Sequence, residues 1–264
     1  MQFIGIIPAR YASSRFPGKP LVDLCGKPMI QHVYEQASKK LDTVLVATDD
    51  ERIYDCVEAF GGKVIMTSTE HTCGTDRVYE AYTKYRDAQS NPLSDDEVVV
   101  INVQGDEPFI QPDQIQALMD CFPTEIATLV HPFTTANQLS DLQNPNYVKV
   151  AIAQSESDSP IILGKAQYFS RSVIPYLRGV EPNEWLTKGK FYRHIGMYAY
   201  RADVLGQITK LPSSILEQTE CLEQLRWLEN GLTIRVAQTH FASIGIDTPE
   251  DLQKAVEFLN KTLK

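Results

Sequence analysis

Through the first half of the chain, short apolar runs alternate with stretches whose apolar residues recur every three or four positions. Residues 3–7 (Phe-Ile-Gly-Ile-Ile) are apolar almost without a break, the pattern of a strand buried on both faces. In 28–40, Met29, Ile30, Val33, Tyr34 and Ala37 fall on one helical face behind Pro28, which predicts a helix with proline at its start. A second strand is predicted at 43–47. Asp49 then stands where it can cap a helix over 50–60, ended by Gly61-Gly62. Strand 63–66, helix 75–85 capped by Thr75, strand 98–103 and helix 113–121 continue the alternation. A β-α-β-α rhythm of this kind predicts an α/β fold, a mostly parallel central sheet flanked by helices on both faces.

The pattern changes in the second half. Segments 148–153, 162–169 and 194–200 read as longer, alternating strands. Residues 178–189 are polar with Gly, Pro and Asn, which predicts a mobile loop. A helix is predicted over 217–228, a strand over 234–237, and a last helix from Thr248-Pro249 to Leu263. The shift near residue 130 predicts two lobes in one domain: 1–130 with 232–264, and 131–231 between them.

Composition narrows the function classes. The 264 residues are 43% hydrophobic and 22% charged, as in ordinary globular proteins. The formal net charge of -9 argues against general nucleic-acid binding, which needs a basic surface. No apolar run reaches the roughly 18 residues of a membrane span. Residues 3–7 are too short for the core of a signal peptide and lack a basic flank, so a cytoplasmic protein is expected. Cys25, Cys56, Cys73, Cys121 and Cys221 are scattered and form no C-x-x-C pair, which suggests neither a disulfide framework nor a zinc site.

Against this acidic background, three cations gather just after the first strand. Arg10, Arg15 and Lys19 stand in Pro8-Ala9-Arg10-Tyr11-Ala12-Ser13-Ser14-Arg15-Phe16-Pro17-Gly18-Lys19-Pro20. Gly18 permits close backbone approach, and the prolines stiffen the loop. Ligands of parallel sheets bind at the carboxyl ends of strands, so these cations suit a polyanion such as a nucleoside triphosphate; a solvated surface turn is the plainer reading. The loop is neither G-x-x-x-x-G-K-[ST] nor G-x-G-x-x-G, so side chains must neutralise phosphate charge in place of a glycine-rich cradle.

One further loop reaches the same edge. Gln104-Gly105-Asp106-Glu107-Pro108 follows the strand over 98–103; a carboxylate there suits Mg²⁺, which takes few protein ligands plus phosphate oxygens and water, or it caps a turn. Asp247 precedes the last helix, as an N-cap or as a metal ligand with Asp106. His71-Thr72-Cys73-Gly74-Thr75-Asp76-Arg77 opens a helix whose N-terminus offers N–H groups to a ligand. Cys73 has no evident His and Asn partners for nucleophilic catalysis.

Taken in order, the loop 8–20, Val22-Asp23 with Gly26-Lys27-Pro28-Met29-Ile30, His71 with Gly74-Thr75-Asp76-Arg77, Asn102-Val-Gln-Gly-Asp-Glu-Pro108, Tyr168-Phe-Ser-Arg171, Arg193-His-Ile-Gly196, Leu222-Glu-Gln-Leu-Arg-Trp227 and Asp247-Thr-Pro-Glu-Asp-Leu252 resemble the 3-deoxy-D-manno-octulosonate (Kdo) cytidylyltransferases. The resemblance spans essentially the whole chain. It implies a nucleotide-diphosphosugar transferase-like fold with a smaller dimerisation subdomain. It implies transfer of CMP from CTP to the anomeric 2-hydroxyl of Kdo, with Mg²⁺ as cofactor, in a cytoplasmic homodimer serving lipopolysaccharide synthesis.

The site residues follow by matching position. Arg10, Lys19, Asp106 and Asp247 match catalytic positions, the two aspartates as metal ligands. Pro8, Ala9, Arg10, Arg15, Lys19, Cys73, Gly74 and Arg77 match the CTP site. Gln104, Arg178, His194, Tyr198, Glu223 and Gln224 match positions lining the Kdo pocket. Without the resemblance, His194 and Tyr198, four apart on one strand face, read as core packing, Glu223 as part of a solvated face with Glu217 and Glu220, and Trp227 as core. Cys73 departs from the serine usual in the family; a thiol is the weaker donor. The same scaffold would serve an amino variant of Kdo or a sialic acid, and a non-catalytic nucleotide-binding regulator would need neither aspartate.

Overall fold

The structure, a computed structural model, describes residues 1–12, 16–135, 138–154, 159–241 and 245–262, with side chains up to Glu257. The chain forms two compact units. The first comprises Met1–Gln116, Arg201–Thr209 and Ser243–Lys264; the second comprises Ala117–Tyr200 and Lys210–Ala242.

In the first unit, β1 (Gln2–Ala9), β4 (Val44–Thr48), β5 (Val64–Met66) and β6 (Val98–Asn102) lie side by side in the order β5-β4-β1-β6. All are parallel, with Gly5 beside Val44 and Ile4 beside Val100. The apolar runs do what their pattern requires: Ile4, Ile6, Ile7, Val46, Ala47, Val99, Val100 and Ile101 are buried, each large side chain worth roughly 1.5–3 kcal/mol. A short hairpin, β2 (Asp23–Leu24) and β3 (Lys27–Pro28), precedes α1 (Met29–Ala37). The helices α2 (Glu51–Ala59), α3 (Gly74–Asp87), α7 (Ala202–Ile208) and α10 (Pro249–Thr262) complete the unit. From β1 the chain moves outward to β4 and β5, then returns to β6 on the other side of β1. The order therefore reverses between β1 and β6, where a crevice forms at the carboxyl ends of a parallel sheet.

The second unit holds a mixed sheet in the order β10-β7-β11-β9-β8, built from β7 (Ile126–Pro132), β8 (Lys149–Gln154), β9 (Ile162–Ser170), β10 (Tyr192–Arg201) and β11 (Ile234–Gln238). β7 and β11 run parallel, and the other pairs are antiparallel. α5 (Leu139–Gln143), α6 (Trp185–Lys188), α8 (Ile215–Glu220) and α9 (Gln224–Glu229) belong to this unit, and the division between the units falls within α4 (Pro112–Met119).

Several sequence expectations are corrected here. β7 is a strand the sequence pattern does not predict, and it lies across the lobe boundary expected near 130. The division falls after Gln116, and β11 joins the second unit because β7 and β9 flank it. The segment expected as a mobile loop over 178–189 carries α6, held by buried Trp185, whose indole N–H donates to the Val180 carbonyl at 2.9 Å. The single helix expected over 217–228 is two. The Glu220 carboxylate accepts from the Ser170 hydroxyl and Arg171 N–H, and the Arg171 guanidinium takes the Glu220 carbonyl at 2.7 Å. That carbonyl is withdrawn from helix continuation, and Cys221 turns into left-handed backbone at φ 52°. Among the described residues no helix is long and apolar enough to cross a membrane.

Candidate active site

At the carboxyl ends of β1 and β6 the first unit opens into a pocket of about 310 Å³. Pro8, Ala9 and Arg10 line it where β1 ends, followed by Lys19 and Pro20. His71, Thr72, Cys73, Gly74 and Arg77 come from the start of α3, Gln104, Gly105 and Asp106 from the loop after β6, and Asp247 from just ahead of α10. Gly105 is required by close approach: a Cβ on it would lie 2.7 Å from the Pro8 carbonyl oxygen. Gly18, at φ 71°, donates its N–H to the Tyr11 carbonyl at 2.9 Å and turns the chain so that Lys19 faces back to the pocket.

Lys19 joins the two aspartates. Its ammonium donates to Asp106 Oδ2 at 2.6 Å and to Asp247 Oδ1 at 2.9 Å. Burial works against the charged amine, but the charge and hydrogen bonds of Asp106, then of Asp247, outweigh it and hold the Lys19 pKa above its ordinary value. The two loops are also tied through backbone, the Ile246 N–H donating to the Asp106 carbonyl at 2.9 Å.

The capping role open to Asp247 falls to its neighbour. Thr248 caps α10: its hydroxyl accepts from the Asp251 N–H at 3.2 Å, and the Asp251 carboxylate accepts from the Thr248 N–H at 3.1 Å. This reciprocal pair satisfies the helix start and leaves the Asp247 carboxylate to Lys19. Similarly, Asp50 rather than Asp49 caps α2, and Asp49 pairs with Arg77 at 2.6 Å.

A divalent cation fits this place by charge and by chemistry. A positive group already stands between the two carboxylates, and both offer hard oxygen donors. Among the described residues no cluster of three or more His, Cys, Asp or Glu side chains is suited to hold an ion, so phosphate oxygens and water would complete the shell, as magnesium prefers.

The remaining sequence-expected residues fall into distinct environments. Arg10 is exposed at the rim and Gly74 opens α3. Cys73, not Thr75, is the N-cap of α3, its Sγ accepting from the Asp76 N–H at 3.5 Å. Arg77 lines the pocket, but its guanidinium also serves the Thr67 hydroxyl at 2.6 Å and the Asp49 carboxylate. Arg15 lies outside the described residues.

Of the residues expected at Kdo, Gln104 lines this pocket and the others belong to the second unit. Arg178 is exposed there. The His194 ring lies edge-on to Phe169, 5.0 Å away, and 5.4 Å from the Tyr198 ring. An irregularity in β10 between Ile195 and Tyr198 makes that contact, since four residues of regular strand would separate the two by about 13 Å. Thr128 braces it, its hydroxyl 3.0 Å from His194 Nε2 and 2.9 Å from the Met197 carbonyl. Desolvation and the neighbouring Arg193 charge push the His194 pKa down. Tyr198 and Trp227 are buried core rings in edge contact. Glu223 does not continue a face with Glu217 and Glu220: it stands at the position before α9, and Gln224 beside it is buried.

Pro20, His71, Thr72 and Gly105, present in the quoted motifs but without an expected site role, all stand in the pocket wall. Each lies within two positions of an expected site residue, so loop membership is the available signal. His71 is fixed by Glu80, whose carboxyl is held down at about 2: burial opposes this, but Lys84, the Ser68 N–H and His71 outweigh it.

Comparison with known proteins places this geometry. A family model described as cytidylyltransferase matches residues 4–234. The 3-deoxy-manno-octulosonate cytidylyltransferase of Parabacteroides distasonis is 56% identical over 263 residues, covering 98% of both chains. That of Phocaeicola vulgatus is 55% identical, covering 99% of this chain and 98% of its own. A solved structure of CMP:2-keto-3-deoxy-manno-octonic acid synthetase complexed with CTP matches with a TM-score of 0.84 at 40% identity, covering 99% of this chain and 100% of that one.

Proposed function

The chain belongs to the family of 3-deoxy-manno-octulosonate cytidylyltransferases, and on that premise we propose that it transfers CMP from CTP to the anomeric 2-hydroxyl of Kdo. The observation that carries this reading is the cation-lined pocket at the end of β1 and β6, with Asp106 and Asp247 converging in it. The sugar hydroxyl oxygen attacks the α-phosphorus of CTP in line. A new P–O bond forms, the bond to the bridging oxygen breaks, pyrophosphate leaves with that bonding pair, and the hydroxyl proton passes to solvent. Such a step needs positioning and charge neutralisation more than covalent help from the protein.

The residues divide that work. Arg10 and Lys19 neutralise the triphosphate. The N–H groups at the start of α3, behind Cys73 and Gly74, face the nucleotide, and Arg77 steadies that loop through Asp49 and Thr67. Gln104 bears on the reacting end from the β6 loop. Asp106 and Asp247 would hold a magnesium ion, which supplies Lewis-acid polarisation that favours ionisation of the sugar hydroxyl and offsets charge at the α-phosphate. Recognition of the sugar by Arg178, His194, Tyr198, Glu223 and Gln224, a cytoplasmic homodimeric state, and a role in lipopolysaccharide synthesis are carried by family resemblance.

The test is pyrophosphate release with CTP, Kdo and Mg²⁺, beside a chelator control, an N-acetylneuraminate control and a panel including amino-Kdo. Kdo-dependent, chelator-sensitive release is expected. Asp106→Ala should lower turnover by roughly 10²-fold or more with the fold retained; a near-normal rate would remove the metal assignment. Silence with Kdo from protein that still binds CTP would favour another acid sugar or a nucleotide-binding regulator.

A further inference from the structure

Lys19 occupies the place that a metal ion between Asp106 and Asp247 would need. Its ammonium lies 2.6 Å from Asp106 Oδ2 and 2.9 Å from Asp247 Oδ1; its side chain is 16% exposed, against 30% and 41% for theirs. Magnesium binds oxygen at about 2.0–2.1 Å. An ion bonded at that distance to Asp106 Oδ2 and Asp247 Oδ1 leaves no room for an ammonium hydrogen-bonded to the same two oxygens, and the two cations repel. Lysine and metal therefore compete for one position.

The backbone limits how Lys19 can yield. The Gly18 N–H is anchored on the Tyr11 carbonyl, the Leu21 N–H donates to the Gly18 carbonyl at 2.9 Å, and Pro20 is buried. With the turn tied, the flexible side chain is the part that can move. It gains by moving only when another anion stands within reach, and a triphosphate in the same pocket is such an anion.

We propose that Lys19 is an internal counter-ion that keeps the Asp106–Asp247 pair closed to divalent cations until a nucleoside triphosphate draws the ammonium away. The inference rests on the reading of those two aspartates as the metal-holding pair. It makes Lys19 a positioning residue that sets the order of binding, with metal entering alongside or after the nucleotide. By linkage, bound metal tightens the nucleotide by the same factor as the nucleotide tightens the metal.

The experiment titrates Mn²⁺ into nucleotide-free protein and reads free Mn²⁺ by electron paramagnetic resonance. Lys19→Gln, with Lys19→Met as a second variant and circular dichroism melts to confirm folding, should bind Mn²⁺ at least about tenfold more tightly than wild type. Arg10→Gln removes another pocket cation and should change the affinity by less than about twofold, since an exposed charge is screened. The gain should vanish in Lys19→Gln/Asp247→Asn. Equal affinity for wild type and both Lys19 variants, or an equal gain from Arg10→Gln, would overturn the inference. If wild type binds Mn²⁺ with CTP in a manner lost in Asp247→Asn while Lys19→Gln gains nothing, only the counter-ion role falls. If the gain survives Asp247→Asn, the ion lies elsewhere, and the metal reading falls with it.

Discussion

Arg77 shows how a residue can line the pocket and still be occupied with structure. Its side chain is 4% exposed and its guanidinium lies 2.6 Å from Asp49, whose side chain is 18% exposed. Removing the cation leaves that carboxylate largely desolvated without its partner, which typically costs about 3 kcal/mol. Arg77→Met should lower the urea midpoint accordingly, and Arg77→Lys should recover only part, because an ammonium cannot reach Asp49 and Thr67 as a fork does. An unchanged midpoint would contradict the strut. His194 makes the opposite point about charge. With its pKa pushed down, its ring resonances should not titrate between about pH 6 and 8. If His194 meets the acid sugar, it does so as a neutral hydrogen-bonding group. A titration midpoint near the ordinary histidine value would show that the ring is better solvated than its aromatic surroundings imply.

At the scale of elements, helix starts decide which carboxylates are available. The Thr248–Asp251 pair caps α10 and leaves Asp247 to Lys19. Thr248→Ala should cost about 1 kcal/mol, near 2–4 °C in Tm for a chain of this size. It should also lower kcat more than it raises KM for CTP, because Asp247 would lose its fixed direction. An equal Tm would mean that Asp251 alone holds the turn. Capping of α2 by Asp50 works in the same way, leaving Asp49 to Arg77. In the sequence both pairs, Asp49-Asp50 and Asp247-Thr248, offer two adjacent candidates for one cap. Choosing between them needs the direction in which the chain enters the helix, and this is set by packing.

Over the whole molecule, a chain of net charge -9 must bind two anionic substrates, and Arg10 and Lys19 stand in the pocket where β1 ends. Every residue of the pocket wall belongs to the first unit. Hydrogen exchange with CTP and Mg²⁺ should therefore slow most in peptides covering 8–11, 18–20, 71–77 and 104–107. Added Kdo should extend protection to peptides covering 192–198 and 222–226 if the sugar assignments hold. Protection by CTP that skips the β1 and β6 loops would displace the site.

The apolar runs of β1, β4 and β6 determined by themselves that these strands are buried and parallel, because a strand covered on both faces has no place for polar residues. Their loops likewise carried most of the pocket, since chemistry in such a sheet gathers at strand ends. β7 was hidden because Thr128 interrupts its apolar stretch and leaves neither an unbroken run nor a clear alternation, and its partners β10 and β11 are distant in sequence. The break at Cys221 was hidden because Arg171, fifty residues away, causes it. Tertiary structure alone decided that Lys19, Asp106 and Asp247 meet. Asp106 and Asp247 lie 87 and 228 positions from Lys19 along the chain; the reversal of strand order at β1 brings the loops of Lys19 and Asp106 to one edge, and the Ile246 N–H on the Asp106 carbonyl ties Asp247 beside them.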